Sequence, residues 1–234
     1  MLKHIIPLAF LVFSLPTFPN DDNTLEEFVP ASIKDSRMSI EKLIKFPRKH
    51  EKSKEDIAVV IRCDAVIKRN GKVDHNFCYE EGGVHFPFVS MINRAASKSV
   101  FNPARVNGTA RPVYFQYYVL FIKKGSATSI EVIGNSGLEV DKYGVDYTSP
   151  QRYSVPGGIF GAGCSYNKHI TVNAVISELG TVSSVAVEGD NAGDKCTKYL
   201  EESFKNQKFI PATYNGKAIS AFYSELIFDT IRRQ

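Results

Sequence analysis

The chain has 234 residues, 43% of them apolar, enough for two domains of roughly 90 residues or one larger core. Charged residues make up 23% and are of mixed sign, with a formal net charge of only +4. The dense basic stripe that phosphate binding requires is missing, so nucleic acid is excluded as a partner.

Lys3 and His4 precede an apolar stretch at 5–18 that Pro7 and Pro16 interrupt. At 1.5 Å per residue that stretch reaches about 21 Å, short of the roughly 30 Å hydrocarbon core. Residues 1–20 therefore read as a signal peptide that is cleaved on export. Retained, the segment would instead tether the chain to the inner membrane. A polar linker over 21–37 follows. The basic run 48–54, broken by Glu51, reads as a solvated loop.

Ile57, Val59, Ile61, Cys63, Ala65 and Ile67 alternate with mostly polar neighbours, which predicts a half-buried strand over 57–67. Asn70-Gly71 signals a turn into a second strand over 72–79. Met91, Ile92, Ala95 and Ala96 give a helical face within 89–99. The proline of Phe101-Asn102-Pro103-Ala104 ends that helix, and Asn107-Gly108 turns the chain into a third strand over 113–121, rich in Tyr, Phe and Val. Residues 125–149 read as a linker. The same elements then recur: strands at 170–176 and 181–188, a helix at 194–206, Phe209-Ile210-Pro211-Ala212, Asn215-Gly216 and a last strand at 219–228.

A displacement of 109 residues, falling to 108 after one deletion, superposes these segments in order. Ala65-Val66-Ile67 falls on Ala174-Val175-Ile176, Gly71 on Gly180, and Asn107-Gly108 on Asn215-Gly216. The expected architecture is α+β: two tandem units, 38–124 and 150–234, each β-β-α-β with a small antiparallel sheet packed on one helix.

Four cysteines, Cys63, Cys78, Cys164 and Cys196, with no C-x-x-C pair, fit an oxidising compartment and two structural disulfides, for which three connectivities exist. Val182 is even-numbered while Val185 and Val187 are odd, so the second strand changes face partway, as a β-bulge makes it do. The matching bulge in the first unit sets Cys63 opposite Cys78, within disulfide range. Cys164 and Cys196 are left to pair.

Phe46-Pro47, Gly71-Lys72-Val73, Phe101-Asn102-Pro103-Ala104 and Asn107-Gly108 stand in the order found in the C-terminal domain of TonB. So do Val155-Pro156, Gly180-Thr181-Val182, Phe209-Ile210-Pro211-Ala212 and Asn215-Gly216. Both stretches resemble that family. The resemblance implies a periplasmic, non-catalytic interaction module. It would bind a protein or peptide, such as a segment of a TonB-dependent outer-membrane receptor, by adding a strand beside its last strand. The implied partner-binding residues are Phe46, Pro47, Tyr114, Phe115, Gln116, Tyr117 and Tyr118. Along the strand, Tyr114, Gln116 and Tyr118 share one face and Phe115 and Tyr117 the other; contact between the two units would equally account for the outer set. The 113–121 strand lacks charge, whereas Glu225 guards its counterpart, so the first unit is expected to be the stronger binder. TonB itself adds a membrane anchor and a Pro-rich spacer. Residues 20–41 hold only Pro30, so energy transduction would require the N-terminal segment to be kept as an anchor.

No catalytic, metal or cofactor site is expected. His4, His50, His75, His85 and His169 show no metal-ligand spacing, and the Gly-rich stretch 157–163 leads into Cys164 rather than into a helix.

Overall fold

A computed structural model describes residues 26–79, 85–135, 137–153, 170–189 and 194–227. The first half holds β1 (Phe28–Val29), β2 (Ser32–Ile33), α1 (Ile40–Leu43), α2 (Arg48–Glu51), β3 (Ile57–Ile67), β4 (Val73–Cys78), α3 (Phe86–Ala96), β5 (Phe101–Asn102), β6 (Ala104–Val106), β7 (Thr109–Arg111), β8 (Val113–Lys124) and β9 (Ala127–Gly134). The second holds α4 (Val140–Tyr143), β10 (Tyr147–Thr148), β11 (Gln151–Arg152), β12 (Ile170–Ile176), β13 (Val182–Glu188), α5 (Asp194–Lys205), β14 (Phe209–Ile210), β15 (Ala212–Tyr214), β16 (Lys217–Ile219) and β17 (Ala221–Ile227). The result is α+β, with several small antiparallel sheets.

The larger sheet of the first half has the order β4-β3-β8-β9, and that of the second β13-β12-β17. Short strands flank each one: β1-β6-β7 and β2-β5 in the first half, β10-β15-β16 and β11-β14 in the second. The alternation read in β3 has its physical consequence, because Val59, Ile61, Cys63, Ala65 and Ile67 are all buried. They meet Phe115, Tyr117, Val119 and Phe121 of β8 and Phe88, Ile92 and Ala95 of α3 in one core. In the second half Ile170, Val172, Ala174 and Ile176 pack with Cys196, Leu200 and Phe204 of α5.

Both second strands are bulged. Ala65 pairs with Asn76 but Ile67 with Val73, and Val175 pairs with Ser184 but Ile176 with Val182. One extra residue in β13 lets Val182, Val185 and Val187 all turn towards α5 and its core. In the first half the bulge brings Cys63 opposite Cys78, and their Cα atoms, 4.0 Å apart, are joined by a disulfide. Cys196 is also disulfide-bonded; Cys164 lies outside the described residues.

Gly71 (φ 79°) and Gly180 (φ 70°) occupy matching turns. Each carbonyl accepts from the N–H of the phenylalanine that follows the helix, Phe101 at 2.8 Å and Phe209 at 3.0 Å. A Cβ on either glycine would collide with the carbonyl oxygen of that same phenylalanine. Asn107-Gly108 and Asn215-Gly216 all have positive φ and link two-residue hairpins, as the type I′ turn demands.

Several expectations need correction. The 125–149 stretch is not a linker, since β9 is a full strand of the first sheet. Residues 28–29 and 32–33, read as part of a polar linker, pair with β6 and β5. The helix read at 89–99 begins at Phe86, with Pro87 in the first turn, where a missing N–H costs nothing. The two F-x-P-A motifs form short strands across their prolines instead of only stopping a helix. The 1–20 segment and the Gly-rich stretch lie outside the described residues, and among those described no helix is long and apolar enough to cross a membrane.

Candidate protein-interaction surface

Strand addition needs an edge whose main-chain groups are free. β8 has none. All its residues from Val113 to Lys123 pair with β3, and those from Tyr117 to Lys124 also pair with β9. The expected open edge over 113–121 is thus occupied by β9 from Tyr117 onward. Phe115 and Tyr117 are core residues, and the Tyr117 hydroxyl donates to Asn76 Oδ1 at 2.6 Å. On the other face Gln116 and Tyr114 contact the second half of the chain.

β17 is an edge strand on which side chains of the first half and Glu139 engage the outward Ser224, Leu226 and Phe222 main-chain groups. Gln116 Nε2 and Arg62 Nη2 donate to the carbonyl of Ser224, at 2.8 and 3.2 Å, and the Tyr79 hydroxyl lies 3.3 Å from the carbonyl of Leu226. The N–H of Phe222 donates to Glu139 Oε2 at 2.9 Å. Glu225 is no exposed guard either. It is buried and takes a two-pronged bond from Arg152, Nε to Oε2 at 2.8 Å and Nη2 to Oε1 at 2.6 Å. The Tyr223 hydroxyl adds a bond of 2.7 Å to Oε2, and the Arg152 guanidinium lies 3.8 Å from the Tyr114 ring centre. Burial opposes the charge on Arg152, but the facing Glu225 carboxylate outweighs it and holds the guanidinium more firmly protonated.

Asp64 borders this seam. Its Oδ2 accepts from the Tyr79 hydroxyl, while its Oδ1 is enclosed and without a partner. Burial pushes its carboxyl up to about 6, against the Tyr79 bond and the Arg62 charge, and the Glu225 charge adds to the rise. A pocket at the seam, lined by Arg62, Gln116, Tyr118, Leu138, Phe222 and Ser224, has a volume of about 10 Å³, room for one water. Among the described residues no group of three His, Cys, Asp or Glu side chains could hold a metal.

β4 and β13 are blunted as edges by their bulges. β9 is different: eight residues in unbroken register with β8. Gly125 (φ 58°) leads the two-residue turn that makes Lys124 and Ala127 the closing pair. The N–H of Asn135 donates to the Gln116 carbonyl at 2.7 Å. Odd residues of β9 therefore bond to β8, and the main-chain groups of Thr128, Ile130 and Val132 point away from it.

Along Thr128 to Ile130 that side borders a groove of about 1130 Å³. Its walls are Thr128, Ser129 and Ile130 of β9, the segment from Ile44 to Lys49 with Glu51, and Phe86, Pro87, Ser90, Met91 and Arg94 of α3. Phe46 and Pro47, expected to touch a partner, line it. Phe46 is itself anchored edge-on between Phe88 (5.8 Å) and Phe121 (5.7 Å), so it serves as floor rather than as a free side chain. The structure thus separates the expected binding residues into three places: Phe46 and Pro47 at the groove, Phe115 and Tyr117 in the core, and Tyr114, Gln116 and Tyr118 at the seam. Sequence reading missed β9, although Ile130 and Val132 alternate with exposed residues as a strand should.

Compared with known protein families, with curated proteins and with solved structures, the chain matches none.

Proposed function

We propose that the chain is two tandem TonB C-terminal-like units and acts as a non-catalytic, exported protein-interaction module of the periplasm. It binds an extended segment of an envelope or receptor protein by strand addition. Three likenesses between the halves support the duplication: the strand orders β4-β3-β8 and β13-β12-β17, the paired bulges, and the Gly-to-Phe contacts. The edge beside each last strand is occupied in part, by β9 along 117–124 in the first unit and by side chains at Phe222, Ser224 and Leu226 in the second. Binding moves one strand outward, to β9. The observation that carries this reading is the unpaired side of β9 running along an open groove.

Thr128→Pro tests it. The Thr128 N–H points away from β8, so proline removes a donor for the partner while sparing the ladder. Cross-linking in cells should show a captured envelope protein that is lost with Thr128→Pro, at an unchanged unfolding midpoint. A folded variant that captures the same protein at full yield overturns the assignment.

A further inference from the structure

The groove beside β9 is chemically one-sided, and this adds to the strand-addition reading, on which it rests. Lys45, Arg48, Lys49 and Arg94 line it and are exposed, against Glu51 alone. None of these four cations is ion-paired among the described residues. Between them lie apolar surfaces: Ile44 and Phe46 in the floor, Met91 half-buried, and Phe86 67% exposed. On the sheet side, no hydrogen bond among the described residues engages the outward main-chain groups of Thr128 or Ile130.

We infer that this groove takes an extended segment of another protein in which acidic residues alternate with apolar ones. Each feature selects part of that chemistry. The free edge of β9 asks for an extended main chain, because its outward N–H and C=O groups repeat every second residue. Period-2 side chains on such a segment turn to opposite sides. Phe86, Met91 and Ile130 offer apolar contact to those side chains that turn into the groove, and Arg48, Lys49 and Arg94 offer charge-assisted bonds to carboxylates along its rim. A second copy of this chain fits poorly, since it would bring the same four cations up to the groove. A basic segment is rejected by the same repulsion, which gives selectivity as well as attraction.

The probe is a dye-labelled synthetic peptide of about ten residues, enough to cover the edge, alternating Glu with Val and Ile. It is titrated into the full chain by fluorescence anisotropy. Comparison peptides carry Lys for every Glu, or N-methyl groups on alternate amides. The acidic peptide should bind about tenfold more tightly than the basic one, a preference of about 1.4 kcal/mol shared among four exposed cations. The preference should vanish in Arg48→Glu/Lys49→Glu, whose changes lie on an exposed helical turn. Equal affinity for the acidic and basic peptides, or binding of neither, overturns the inference. If N-methylation still abolishes binding in the first case, strand addition at β9 stands without it. If the N-methylated acidic peptide binds as well as its parent, charge selection stands and strand addition falls. A dimer that dissociates in Arg48→Glu/Lys49→Glu assigns the groove to a second copy and likewise overturns the inference.

Discussion

Asp64→Asn should stabilise the protein at neutral pH, by an amount the seam sets. The carboxyl moves from an ordinary 3.8 to about 6 in the folded chain. At about 1.4 kcal/mol per tenfold change in proton affinity, this favours the protonated form by about 2–3 kcal/mol. The sign follows from proton uptake: the folded state binds the proton more tightly than the unfolded state. The stabilisation from protonated Asp64 is therefore full below about 3.8 and lost as pH rises through about 6. A protonated Asp64 can donate to the Tyr79 oxygen, which releases the phenol proton for the Leu226 carbonyl 3.3 Å away. Asparagine reproduces that donor without a charge. Urea unfolding of both proteins from pH 4 to pH 8 measures the effect. The two should be nearly equal at pH 4, and the variant should gain about 2–3 kcal/mol by pH 7. A difference that stays flat across that range refutes the burial of a strained carboxylate.

Glu225→Ala should cost about 3–5 kcal/mol, because it leaves the Arg152 guanidinium, 1% exposed, without its anion. The double change Arg152→Met/Glu225→Met should recover most of that loss in the same urea assay, since an apolar pair leaves no orphaned charge. Replacing both Cys63 and Cys78 by serine should cost about 3 kcal/mol, the entropy of a loop closed across a separation of 15 residues. A non-reduced digest should yield the Cys63–Cys78 peptide pair and a Cys164–Cys196 pair, with no link between the halves.

What could be read from the sequence was what local periodicity and self-similarity encode. The alternation of β3 fixed its buried face. The change of parity from Val182 to Val185 revealed a bulge, and the displaced copy of that bulge located a disulfide. Phe46 came from a motif, and it does lie at the groove. The features that escaped depend on residues far apart in the chain. β9 fell outside the repeat and so passed for a linker, although β8 needed a neighbour for its second edge. Glu225 looked like a solvent-facing guard because its partner Arg152 is distant in sequence and sits in a two-residue strand with no pattern of its own. The strands at 28–29 and 32–33 are too short to show a period and exist only because β6 and β5 accept them. Alternation puts Tyr114 and Gln116 on one face of β8; that this face meets the second half depends on tertiary packing alone.

Amide hydrogen exchange along β9 tests most directly that this strand is the open edge. In the free chain the N–H groups of Thr128 and Ile130 should exchange rapidly, while those of Ser129 and Glu131, bonded to β8, should be slow. The Phe222 amide on β17 should also be slow, held by Glu139. A saturating acidic strand peptide should slow Thr128 and Ile130 and leave β17 unchanged. Slow exchange at Thr128 and Ile130 before any peptide is added, or peptide-induced protection on β17 instead, would contradict the account.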